Sequence, residues 1–240
     1  MTATITLVRI AELAAISLFI LGLHFLSSPA TARFGNRLAA IGMLLALIAV
    51  AISTGGMGWW AILIGVVIGA AIGLFSALRV QMTAMPQMVA LFNGAGGGAA
   101  ALISTVEYVQ ISHSGLGGSS PFLIPVSLVV SAIIGAISFG GSIVAFMKLQ
   151  EWMPGRPMTY PGQQIVNGLV LLAIVILAGW LVAVLLGLPF SIYLAMLGAA
   201  LLLGVLFVLP IGGADMPVVI SLLNSFTGLA VAIAGFELGY

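Results

Sequence analysis

The sequence has no cysteine, two histidines and very few charged residues, and each shortage excludes a class of function. Without cysteine the chain forms no disulfide, no thiolate nucleophile and no thiolate-bound metal site. The two histidines, His24 and His113, leave little for metal binding, so we expect no metal site. Six Lys and Arg residues against five Asp and Glu residues cannot make a basic surface for nucleic acid, so we expect no such partner.

The rest of the sequence is strongly apolar and predicts a membrane protein. Hydrophobic residues make up 62% of the chain and charged residues 5%, whereas about a quarter of a soluble domain is charged. Apolar runs of about 20 residues cross a bilayer as helices. We therefore predict an all-α integral membrane protein, a polytopic bundle of about eight transmembrane helices in a single domain over residues 1–240. The predicted spans lie near residues 5–26, 38–53, 59–78, 85–108, 122–149, 163–186, 189–209 and 216–237.

The first span is followed by Ala30-Thr-Ala32, a small-x-small motif typical of signal-peptide cleavage sites. The apolar run before the motif is too long for a signal peptide and contains Glu12, which favours a retained membrane helix.

Basic residues predict the orientation of the spans. Five of the six fall in the connections after spans one, three and five, and the positive-inside rule makes that side cytoplasmic: Arg33, Arg37, Arg79, Lys148 and Arg156. The N-terminus is then expected outside, in a bacterial cytoplasmic (inner) membrane. With eight spans the C-terminus at Tyr240 is expected outside as well.

One pattern occurs twice, in spans four and eight. Met85-Pro86 and Met216-Pro217 each open an apolar run, with Leu six residues, Asn eight residues and Gly twelve residues after the Met. Proline suits the first turn of a helix because it has no amide hydrogen to leave unpaired there. The spacing predicts two parallel helices whose asparagines, Asn93 and Asn224, lie at the same depth, about 12 Å from each helix start.

Four polar residues are candidates for function, each with a structural alternative. An asparagine in a membrane helix needs a hydrogen-bond partner, so Asn93 and Asn224 either join helices or line a polar path. Ser142 is expected on the same side of the membrane as the two asparagines, about 9 Å along span five from Lys148. The structural alternative is that it bonds the backbone of its own helix, as a serine in a helix usually does. Asp215 precedes Met216 and either caps that helix or has a functional role.

Several segments together resemble the membrane domain of the β subunit of proton-translocating nicotinamide nucleotide transhydrogenase. They are Gly212-Gly-Ala-Asp215-Met-Pro217 with the residues up to Gly228, Gln81-Met-Thr-Ala84-Met-Pro86, Gly141-Ser142 with the residues up to Lys148, and Arg33-Phe-Gly-Asn36. The similarity extends over essentially the whole chain. It implies an enzyme that moves a hydride between NAD(H) and NADP(H) while protons cross the membrane.

The resemblance also implies a division of roles. Hydride transfer would occur in soluble nucleotide-binding domains outside this chain, which itself would bind no cofactor and contain no catalytic residue. Asn93, Asn224 and Ser142 would line the proton path, and Asp215 would lie where the NADP(H)-binding domain docks. The implied partners are that domain, an α subunit with membrane helices and an NAD(H)-binding domain, the lipid bilayer, and a second copy of the complete enzyme in a homodimer.

Two departures from the family pattern matter. The position of Asn93 is commonly a histidine in relatives, and an amide cannot titrate near neutral pH. We therefore expect the proton carrier to come from a membrane helix of a partner subunit, with Asn93 bonding to water. The second departure is length: the family's β subunits continue into one more span and a soluble NADP(H)-binding domain, and we expect both to be absent from residues 1–240.

Two other classes remain as alternatives. A secondary transporter would need helices broken near mid-membrane, whereas Pro and Gly-Pro elements here mostly mark helix ends. A purely structural membrane subunit would scatter its polar residues by depth, whereas Asn93, Asn224 and Ser142 are all predicted in the cytoplasmic half.

Overall fold

A computed structural model describes residues 2–53, 58–114, 122–184 and 189–237. Within these ranges the chain is helical without strands, and eight helices are long and apolar enough to cross a membrane, which confirms the predicted fold class. The helices are α1 (Thr2–Leu26), α2 (Ala32–Ser53), α3 (Trp59–Arg79), α4 (Met85–Ser114), α5 (Leu123–Leu149), α6 (Gln163–Ala183), α7 (Phe190–Val208) and α8 (Met216–Glu237). Short 3-10 turns, Met82–Ala84 and Gly213–Asp215, directly precede α4 and α8.

The bounds of two helices differ from the predicted spans. Helix α2 begins at Ala32 instead of residue 38, so Arg33 and Arg37 lie in its first two turns and not in a connecting loop. It starts early because Thr31 accepts the first backbone hydrogen bonds from Phe34 and Gly35. Helix α4 continues to Ser114 instead of ending near residue 108, with Ile111 buried in the core. The predicted end of span six, at residue 186, lies outside the described residues.

The chain divides into two compact units, Met1–Arg79 and Val80–Tyr240. The single domain predicted for residues 1–240 therefore stays a prediction. In the first unit, α1 packs on α2 through glycines: a Cβ on Gly35 would lie 2.6 Å from the carbonyl oxygen of Gly22. Helix α3 has no buried residue, and no described atom lies within 4 Å of a Cβ built on Gly65, Gly69 or Gly73.

The second unit is built around α5, which packs against α4, α6, α7 and α8. Small residues on α5 let its neighbours approach closely, as is common where helices pack in membranes. A Cβ on Gly135 would lie 2.7 Å from the carbonyl oxygen of Gly97 in α4, and a Cβ on Gly140 would lie 2.5 Å from that of Leu201 in α7. Two apolar clusters fill the interfaces, one around Tyr108, Leu128 and Tyr193, the other around Val144, Met216 and Leu223.

The contact between α5 and α7 gives a test of this packing. A Cβ on Gly204 would fall onto the backbone carbonyl of Ile137, which has no flexible end to move away. We expect Gly204→Ala to destabilise the protein by about 1–3 kcal/mol through overpacking. Gly198→Ala, in the same helix but with open space at its Cβ position, is the matched control. Thermal unfolding of both variants in detergent checks this, and equal melting temperatures would contradict the packing described.

Candidate functional site

The Asn93 side chain is the centre of a buried polar group between α4 and α5. It is 6% exposed, and its amide nitrogen donates hydrogen bonds to the hydroxyls of Ser138, at 3.2 Å, and Ser142, at 2.9 Å. Both amide hydrogens are thereby used. Neighbouring glycines allow this approach, since a Cβ on Gly94 would lie 3.2 Å from the Cβ of Ser142.

Ser138 connects this pair of helices to α8. Its hydroxyl donates to the backbone carbonyl of Leu223, at 3.0 Å, and lies 2.5 Å from the hydroxyl of Thr227. Because a serine has a single hydroxyl hydrogen and Leu223 receives it, Thr227 is the donor to Ser138. Asn93, Ser138, Ser142 and Thr227 are all buried, and we call these four side chains the polar cluster. It joins α4, α5 and α8 at one level.

The carbonyl oxygen of Asn93 is the open position of the polar cluster. It is buried and has no hydrogen-bond partner among the described residues. A buried amide oxygen without a donor costs free energy, more so in a membrane interior. The oxygen can therefore accept a hydrogen bond from a further donor.

Asn224 is not in the polar cluster. Leu223 and Thr227 turn their side chains towards the core, whereas Asn224 is exposed and makes no side-chain hydrogen bond to the described residues. One residue of helix turns a side chain by about 100°, so Asn224 lies on a different face from Leu223. The two asparagines share a level, since Ser138 bonds both Asn93 and Leu223, but only Asn93 faces inwards.

The two Met-Pro segments begin their helices in the same way. Each helix starts at the Met, as predicted, after a three-residue 3-10 turn. The residues before the two turns have nearly identical backbones, with φ −73° and ψ 152° at Gln81 and φ −72° and ψ 155° at Gly212. The repeat therefore extends upstream of the Met and pairs Ala84 with Asp215.

Asp215 ends the 3-10 turn before α8. Its side chain is exposed and makes no hydrogen bond to the described residues, so the helix cap considered from the sequence is not formed. The carboxylate is free to meet another molecule at this end of the unit.

Three residues of this region were not predicted from the sequence as parts of the site. Ser138 precedes Ser142 by four residues, and Thr227 follows Leu223 by four, so helical spacing alone would have placed each on a shared face. Lys148 was taken as a basic residue at the cytoplasmic end of span five, with no site role. Its side chain is 2% exposed inside α5, and its ammonium group donates to the carbonyls of Leu209 and Ile211. The sequence pattern does not show that the side chain of Lys148 is buried.

A polytopic helical membrane protein with a buried polar cluster is the class that this geometry defines. Among residues 2–53, 58–114, 122–184 and 189–237, no three His, Asp or Glu side chains lie together as a metal site requires.

Comparison with known proteins gives the family. Residues 8–240 match the family model described as NAD(P) transhydrogenase beta subunit. The chain is 40% identical over 240 residues to NAD(P) transhydrogenase subunit beta of Rhodospirillum rubrum, and equally to that of its strain ATCC 11170. The match covers 98% of this chain and 51% of those proteins, so the chain spans about half the length of these curated relatives. It belongs to the NAD(P) transhydrogenase beta subunit family.

The polar cluster predicts a large effect for one small substitution. Ser138→Ala removes the donor to Leu223 and one acceptor of Asn93, leaving buried groups unpaired, so we expect a loss of about 1–3 kcal/mol in stability. Ser225→Ala is the control, because among the described residues the exposed Ser225 hydroxyl bonds only the Ser221 carbonyl of its own helix. Thermal unfolding in detergent checks the difference. Equal stability of the two variants would count against the hydrogen bonds described.

Proposed function

We propose that this chain is the proton-translocating membrane part of an NAD(P) transhydrogenase. It would couple proton movement across the membrane to hydride transfer between NAD(H) and NADP(H) in soluble domains outside the chain. The observation that carries the proposal is the polar cluster, four hydrogen-bonded side chains at the junction of three membrane helices with the Asn93 carbonyl oxygen open to a further donor.

The proposed role of Asn93, Ser142 and Asn224 is to line the proton path. Amides and hydroxyls orient water by donating and accepting hydrogen bonds. They do not change charge near neutral pH, so none of the three would hold the proton itself. Asn93 and Ser142 would act from inside the α4–α5 contact, and Asn224 from the exposed face of α8.

The proton carrier in this proposal is an ionisable side chain on a membrane helix of a partner subunit. The open oxygen of Asn93 supports this, since it needs a donor that the described residues do not supply. A polar group exposed on a membrane helix, as Asn224 is, also favours a partner helix or water over lipid. The partner would be an α subunit that contributes membrane helices and the NAD(H)-binding domain.

Coupling would work through the NADP(H)-binding domain, docked where Asp215 is exposed. If proton occupancy changes the affinity for NADP(H), then bound NADP(H) changes the affinity for the proton by the same factor. The full assembly we propose is a homodimer of the complete enzyme in a bacterial inner membrane. Its N-terminus would be outside and Asp215 on the cytoplasmic side.

Two substitutions test the proposed roles of Asn224 and Asp215. In the complete enzyme, Asn224→Ala and Asp215→Ala should each slow proton-coupled transhydrogenation and leave assembly intact, because both side chains are exposed and hold no described neighbour in place. Ser225→Ala, next to Asn224 and also exposed, should behave as wild type. The measurement is the coupled rate in proteoliposomes together with the yield of assembled enzyme. A wild-type rate in either variant removes that residue from the site.

The carrier is tested on the partner subunit. Replacing each ionisable residue of its membrane helices in turn should find at least one position where proton pumping is lost, because the Asn93 amide cannot substitute for a titrating group. Proton uptake into vesicles driven by hydride transfer is the measurement. Pumping that survives every replacement would contradict a carrier on the partner.

A further inference from the structure

Lys148 is a buried cation near the end of α5. Its side chain is 2% exposed, and a buried charge is tolerated when hydrogen bonds compensate for the lost water. The ammonium group donates to the backbone carbonyl of Leu209 and, at 2.7 Å, to that of Ile211. These bonds reach across from α5 to the connection between α7 and α8.

The connection held by Lys148 is the segment that leads to Asp215. Helix α7 ends at Val208, and the 3-10 turn before α8 starts at Gly213. We call residues 209–215 the α7–α8 link. Carbonyls at the end of a helix lack partners within the helix and carry partial negative charge, which makes them good acceptors for an ammonium group.

A second segment fixes the α7–α8 link from another side. The amide of Met158 donates to Leu209 at 3.1 Å, and the amide of Gly213 donates to Gly155 at 2.8 Å. The Leu209 carbonyl thus accepts two hydrogen bonds, one from the backbone of the segment after α5 and one from Lys148. The backbone bonds anchor the link to a loop, whereas Lys148 anchors it to a membrane helix.

The same end of α5 also holds the start of α4. The side-chain amide of Gln87, in the first turn of α4, donates to the carbonyl of Leu149 at 3.1 Å. Both helices that begin with Met-Pro are therefore tied to the last turn of α5, α4 directly and α8 through its preceding link. Ser142 lies six residues and Ser138 ten residues before Lys148, about 9 Å and 15 Å along one continuous helix.

We propose that Lys148 is a positioning residue that transmits movement between the α7–α8 link and the polar cluster. When a docked domain shifts the link at Asp215, the bonds of Lys148 move the end of α5. Ser138 and Ser142 then move relative to Asn93 and Thr227. The reverse also holds, because coupling is reciprocal. This inference rests on the proposed function for its consequence, but the attachment of the link by Lys148 is testable without it.

The test replaces Lys148 in the complete enzyme. Lys148→Met keeps an apolar stem of similar length and removes both hydrogen bonds; Lys148→Gln keeps a short donor and serves if the first variant assembles poorly. Lys148→Arg retains the charge and the donors and should recover part of the effect. The control is Arg156→Met, which removes a positive charge from an exposed position in the neighbouring loop.

Two measurements are made on each variant in proteoliposomes. Hydrogen exchange at the amides of Ile211, Gly213 and Asp215 reports the α7–α8 link, and we expect it to be about tenfold faster in Lys148→Met, as loss of bonds to a charged group implies. The number of protons moved per hydride transferred reports coupling, and we expect it to fall. If Lys148 had a purely structural role, its loss would slow proton movement and hydride transfer in proportion. The number of protons moved per hydride would then stay unchanged.

The outcomes separate the inference from the proposed function. Faster exchange with a lower ratio, absent in Arg156→Met, supports the inference. Unchanged exchange, or faster exchange with an unchanged ratio, overturns it. If the unsubstituted enzyme moves no protons during hydride transfer, the proposed function fails instead, and the exchange measurement alone decides whether Lys148 holds the link.

Discussion

The structure of the second unit depends on one constraint, that leaving a polar group between membrane helices without a hydrogen-bond partner costs free energy. Glycines of α4 and α5 bring the two backbones close enough, with a Cβ on Gly97 only 2.9 Å from the carbonyl of Gly135. That approach puts the Asn93 amide within reach of two serines of α5. The third helix is attached through the same Ser138. The same contacts therefore pack the helices and give the buried polar side chains their hydrogen-bond partners.

The fold was largely predictable because the bilayer sets the length and composition of each span. Eight apolar runs correspond to eight long helices in the part of the chain that the structure describes. The errors occurred where a charged residue was assigned to a loop. Arg33 and Arg37 lie in α2, because the contacts of α2 with α1, such as that of Gly35 with Gly22, begin before its apolar stretch does. Helix α4 likewise continues into a polar segment because Ile111 is still packed against the core.

The site was predictable in part. Asn93 and Ser142 were selected from the sequence and lie in contact, because the spacing of each from its helix end fixed a common level. Spacing does not fix the rotation of a helix about its own axis, and Asn224 consequently faces outwards although Asn93 faces inwards. Ser138 and Thr227 were missed because a lone hydroxyl in a helix usually bonds its own backbone. Lys148 was missed because hydropathy does not distinguish a buried cation from one at the membrane surface.

The direction of the hydrogen bonds at Ser138 bears on the proton path that we propose. Thr227 donates to Ser138, and Ser138 donates to the peptide oxygen of Leu223. A peptide oxygen carries no hydrogen that it could donate further. A proton therefore cannot be relayed from Thr227 through Ser138 beyond the carbonyl of Leu223. Under the proposed function, a proton would therefore pass Asn93 on the side of its carbonyl oxygen, which has no hydrogen-bond partner among the described residues. Ser138 and Thr227 would then hold the asparagine in one orientation.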